Sequence, residues 1–119
     1  ATSIVSQAKI TREQVRAKNK ESLQEIIDNK QLTGEQKKKA VNEMVELTKI
    51  AEKEAAAETM LSAKGFTDSV VSLSEESADV VVNAKELSEA NRAQIEDIVI
   101  RKTGMAAENI VITPAGSKK

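Results

Sequence analysis

From Ile10 to about Lys64 the apolar positions fall at helical spacing. Val15, Leu23, Ile26 and Ile27 recur every few residues through VRAKNKESLQEII. Thr11, with Gln14 three residues on, has the form of a capping box that would open this first helix. Asn29, Thr33 and Gly34 interrupt the pattern, and Thr33 is a good N-cap for a new helix. This second, longer helix is predicted from about Gly34 to Ala63, carrying Val41, Met44, Leu47, Ala51, Ala55, Met60 and Leu61. Gly65 stands where a left-handed glycine would end it.

After Gly65 the period changes to two. VVSLS (70–74) and ADVVVNA (78–84) are short β-branched runs separated by Glu75-Glu76-Ser77, the pattern of a hairpin. Ala78, Val80, Val82 and Ala84 would face one side of the sheet, with Asp79, Val81 and Asn83 on the other. Ser88 caps a third helix that runs to Thr103, buries Ile95, Ile98 and Val99, and stops at Gly104. NIVIT (109–113) is a last strand with Ile110 and Ile112 inward, ended by Pro114. The order is α-α-β-β-α-β, and the compact solution is an α+β fold: a three-stranded sheet with helices on one face. We divide the chain into an N-terminal helical segment (1–33), an α-β-β-α-β domain (34–114) and a flexible tail (115–119).

Composition narrows the function. The 119 residues include no His, no Cys, no Trp and no Tyr, and one Phe, Phe66. That removes the usual zinc sites, thiol nucleophiles and Ser-His-Asp relays, so we expect no enzyme, no catalytic residue, no metal and no cofactor. A charged fraction of 31% suits helices with one wet face, and the net charge of -1 gives no general pull toward nucleic acid or anionic lipid. No apolar run is long enough to span a membrane. A chain opening on Ala1-Thr2 without Met reads as processed, which leaves room for an anchor upstream.

What remains is surface. Lys9, Arg12, Arg16 and Lys20 step by three and four along one helix face, either a docking stripe for an acidic partner or lipid headgroups, or a solvated face. Lys37-Lys38-Lys39 sits in the first turn of the second helix, where the helix dipole disfavours cations. Such a run survives when exposed and reads as solvent-facing, or as a contact for acidic groups. Glu75, Glu76, Asp79 and Glu86 make an acidic turn whose spacing implies no convergent metal or acid/base geometry. Val70, Val81 and Val111 would lie together on the outer sheet face, as scattered valines or as a contact surface. The sheet edges could accept a partner strand. A KH-like RNA-binding reading fits the element order but not the glycines, which stand at 34, 65, 104 and 116 and form no G-x-x-G clamp. A stalk-like helical spacer with a small cap domain is a further alternative.

Three stretches together, VRAKNKESLQEII (15–27), KAVNEMVELTKIAEKEAAAETMLSAKGFTDSVV (39–71) and ENIVITP (108–114), resemble the extracytoplasmic domain of the stage III sporulation protein AH family. The matching pattern includes Arg16, Lys18, Lys20, Glu21 and Leu23, then Ala40, Met44, Leu47 and Thr48, then Gly65-Phe66 and Asp68. The resemblance implies a ring-building-motif fold, similar to secretion-system and flagellar basal-body ring proteins, preceded by an extra helix. It implies an N-terminal membrane helix and linker, both absent from these 119 residues. It also implies a place in the outer forespore membrane facing the intermembrane space, with the ectodomain of stage II sporulation protein Q as partner. The two would build a ring or channel between mother cell and forespore, and copies of the chain could themselves form a homo-oligomeric ring. Lys9, Arg12, Arg16, Lys20, Val70, Val81 and Val111 are our candidate partner contacts, and no nucleic-acid partner is expected.

Overall fold

The structure is a computed structural model and describes residues 3–116. Helix α1 (Ile4–Asp28) starts at Ser3, whose hydroxyl accepts from the Ser6 amide at 3.0 Å. It begins well before Thr11, which sits mid-helix and accepts from the Gln7 side chain at 3.4 Å. The Thr11–Gln14 pair is therefore not a cap. Ile4 and Val5 are β-branched and read poorly as helix, yet Ser3 supplies the stronger start.

Helix α2 (Gly34–Ala63) opens on Thr33, where Thr33 and Gln36 satisfy each other's backbone amides in a capping box. It closes in a Schellman motif: the Phe66 amide donates to the Leu61 carbonyl at 2.8 Å and the Gly65 amide to Ser62 at 3.1 Å. Gly65 has φ +99°, which is why glycine stands there. Strands β1 (Ser69–Leu73) and β2 (Ala78–Val82) form the expected hairpin, closed by the Ser74 amide on the Ser77 carbonyl at 2.9 Å. Helix α3 (Glu89–Thr103) is capped by Ser88 and ended by Gly104 at φ +80°. It returns the chain through a 3₁₀ turn to β3 (Ile110–Pro114).

The sheet order is β1-β2-β3, antiparallel between β1 and β2 and parallel between β2 and β3. Val71 lies opposite Val80, and Val80 opposite Ile112, so one face is a continuous valine–isoleucine surface. Ala57 and Leu61 of α2 and Ile95, Ile98 and Val99 of α3 close over it. This is the α+β fold in the order read from the sequence.

The outer face differs from expectation. Val70 is 1% exposed, Val81 is half-buried, and Val111 is 53% exposed. Helix α1 contacts β1 and β2, and Val5 is its buried residue. The Val70–Val81 pair is thus under cover, and only Val111 of the three valines presents a large open surface.

At the C-terminal end, the Ala115 and Gly116 amides donate to the Val82 and Ala84 carbonyls, each at 2.8 Å. A Cβ at Gly116 would stand 2.5 Å from the Ala84 carbonyl carbon, so only glycine lets the chain lie this close. The first two residues of the expected tail are therefore bonded to the domain, and 117–119 lie outside the described residues.

Candidate functional site

The most organised polar site joins α1, α2 and the free edge of β1. Arg12 and Arg16 lie one turn apart on α1, and Glu54 and Glu58 one turn apart on α2. Arg16 grips Glu54 with two nitrogens at 2.7 and 3.0 Å. Arg12 donates to Glu58 at 2.6 Å, lies 3.5 Å from Glu54, and donates through Nε to Glu13 at 2.9 Å.

The carboxylates also serve the strand. The Val71 amide donates to Glu58 Oε2 and the Leu73 amide to Glu54 Oε2, both at 2.8 Å, while Arg12 Nη1 donates to the Val71 carbonyl at 2.7 Å. Four helical residues rise about 6.0 Å and two strand residues about 6.6 Å, so the spacing of Glu54 and Glu58 matches the strand repeat. Side chains of two helices stand in for a fourth strand. The expected strand-addition site at this edge is already occupied. At the other edge, Pro114 has no N–H to offer and Arg92 covers the Ile112 carbonyl at 3.3 Å.

Glu54 is 1% exposed, and the side chains of Arg12, Arg16 and Glu58 are 10, 11 and 16% exposed. No buried side-chain polar atom among the described residues lacks a partner. Burial opposes the charge on Arg12, but its hydrogen bond to Glu58 and that group's charge outweigh the penalty, and the pKa is raised. For Arg16 the hydrogen bond to Glu54 dominates over burial, and the pKa again rises. A raised folded-state value means that the contribution is complete below the unfolded pKa and is lost only as pH climbs through the folded one. For guanidinium that window lies above about pH 12. Thermal unfolding midpoints should therefore show no loss attributable to these arginines between neutral pH and about pH 9. Arg16→Lys should bring a decline into the range near pH 10, where lysine titrates.

The basic stripe is thus divided. Arg12 and Arg16 are held inside the molecule, and Lys9 and Lys20 are exposed. Lys38 and Lys39 are exposed and Lys37 half-buried, while Glu75, Glu76, Asp79 and Glu86 face solvent. No cluster of acidic residues suited to a metal ion occurs among the described residues. Glu54 and Glu58 did not stand out in the sequence. The signal was there: Glu54 follows Leu47 and Ile50 and precedes Ala57 and Leu61 at core spacing, a charge on an apolar stripe. Beside the cluster, an open apolar groove of about 640 Å³ runs along α1, lined by Ile4, Ala8, Thr11, Val15, Leu47 and Ile50 among others.

Comparison with known proteins decides the family. A family model described as SpoIIIAH-like protein matches residues 1–112. The chain belongs to the SpoIIIAH-like family. This is a sporulation family of complex-forming proteins and not a known enzyme family. Among solved structures, a chain of the SpoIIQ–SpoIIIAH pore-forming complex superposes with a TM-score of 0.84 at 21% identity, over 98% of this chain and 100% of that one. At that identity the likeness establishes a shared fold. No curated protein matches the chain significantly. No helix among the described residues is long and apolar enough to cross a membrane.

Proposed function

We propose that this SpoIIIAH-like chain is a non-catalytic interaction and assembly domain whose partner is the ectodomain of SpoIIQ, stage II sporulation protein Q. The observation that carries this reading is the whole-chain fold shared with a chain of the SpoIIQ–SpoIIIAH pore-forming complex, joined to the family match. The setting is the outer forespore membrane, with the domain facing the intermembrane space and an anchor upstream of residue 1. Copies would assemble head to tail into a ring, the heterologous arrangement that closes by rotation. No observation favours the RNA-binding alternative, since Phe66 packs against the core and offers no stacking platform. The spacer alternative is disfavoured because α1 lies back along α2 and the β1 edge.

The surface we assign to the partner is the exposed side of α1 with Lys9 and Lys20, and Val111 on the outer sheet face. Arg12, Arg16 and Val70 leave that assignment because each already has a partner or cover within the chain. Light scattering on a size-exclusion column should show one species at the summed mass when the chain is mixed with the SpoIIQ ectodomain at about 50 µM. Two separate peaks from folded proteins would overturn the proposal. Given a complex, Lys9→Glu with Lys20→Glu, or Val111→Asp, should weaken it by about tenfold or more. Unchanged affinity would move the interface elsewhere on the molecule.

A further inference from the structure

The apolar core closes without α1. Its buried members come from α2, β1, β2 and α3, with Ile110 and Ile112 of β3 packed against them, and none comes from the first helix. Helix α1 has Val5 as its buried residue and leaves Ile4, Ile10, Val15 and Ile26 between 36 and 62% exposed. What ties its N-terminal half to the domain is chiefly the pair of arginines on Glu54, Glu58 and the Val71 carbonyl. A buried ion pair of this kind gains little net stability, because desolvation offsets most of the attraction.

Undocking has an unusually small penalty here. All four charged groups return to water together. The Val71 and Leu73 amides keep their acceptors, since Glu58 and Glu54 belong to α2. Among the backbone groups of β1 only the Val71 carbonyl loses its donor, which water replaces, and Val5 is the buried apolar side chain of α1 that becomes exposed. We propose that α1 is an electrostatic latch: it releases as a separate unit from a folded α2–β1–β2–α3–β3 domain. Release frees the Val71 carbonyl at the β1 edge and exposes Val5, the buried residue of α1. This holds whatever partner binds the chain, so its failure and that of the SpoIIQ assignment are distinguishable.

Amide hydrogen exchange on the whole chain tests it. In the Arg12→Gln/Arg16→Gln variant the amides of residues 4–20 should exchange at least about a hundredfold faster, because a helix without tertiary support is marginal in water. Amides of β2 and α3 should stay within about threefold of their original rates. Acceleration of α1, β2 and α3 together would show one cooperative unit and overturn the latch, as would unchanged α1 rates. Should the variant fail to fold, exchange of the unaltered chain in low denaturant gives the same decision. A lower opening free energy and a smaller denaturant slope for α1 than for β2 and α3 support the latch, and common values refute it.

Discussion

Replacing Glu54 by leucine is expected to lower the unfolding free energy by about 3 kcal/mol, and the melting temperature by about 10 °C. Three bonds disappear with the carboxylate: both contacts from Arg16 and the acceptor of the Leu73 amide. Breaking one side of a buried pair typically costs about 3–5 kcal/mol, because the remaining charge is stranded. The lower end applies here, since α1 can carry Arg16 out to water. The Leu73 amide has no such escape within the folded strand and stays without its acceptor. The double variant Glu54→Leu/Arg16→Met should recover more than half of the loss, because apolar side chains of similar size restore packing without a stranded charge. Urea unfolding of the two single and one double variants gives the coupling directly. A single-variant cost below about 1 kcal/mol would mean that the cluster is a solvated surface network.

Which parts of this architecture were legible in the sequence depends on the range of the interaction that fixes each. Thr33 with Gln36, Gly65, Ser88 and Gly104 act within a few residues of themselves, and the helix ends they mark stand where their chemistry puts them. The alternation through β2 needed only its own side chains: Ala78, Val80 and Val82 are buried and Asp79 is exposed. The start of α1 is hidden because Thr11–Gln14 has the form of a capping box. Ser3, with Ser6 and not Glu or Gln three residues on, caps the helix earlier through a single bond from the Ser6 amide. The arginine stripe was visible as a face, but its acceptors lie 38 and 46 residues away, beyond any periodicity. The same limit hid the burial of Val70, because the elements packed around β1 come together only in the tertiary fold. Family resemblance supplied the overall fold more firmly than spacing did, and it carried no information about which charges pair internally. Charge-reversing Arg12 and Arg16, the natural test of a docking stripe, would on this geometry break the molecule's own cluster before it tested any partner.

The second large effect belongs to the core. Leu61→Ala should cost about 4 kcal/mol, a substantial part of the roughly 5–15 kcal/mol that holds a domain of this size together. Leu61 is fully buried and belongs to the cluster formed with Val71, Val80 and Val82 of the sheet and Ile95 and Val99 of α3. Those valines and isoleucine are stiff at χ1, so the lining cannot collapse far into the space that the side chain leaves. Its backbone role is untouched, because the Leu61 carbonyl still receives the Phe66 amide in an alanine variant. The whole cost is therefore cavity and lost contact. Leu61→Met, which nearly conserves volume, should cost less than about 1.5 kcal/mol, and Val111→Ala on the open face less than about 0.5 kcal/mol. Urea unfolding with an unchanged slope measures all three. In hydrogen exchange Leu61→Ala should accelerate β2 and α3 together, where the arginine variants accelerate α1 alone. A Leu61→Ala cost near that of Val111→Ala would contradict a core that closes at this residue.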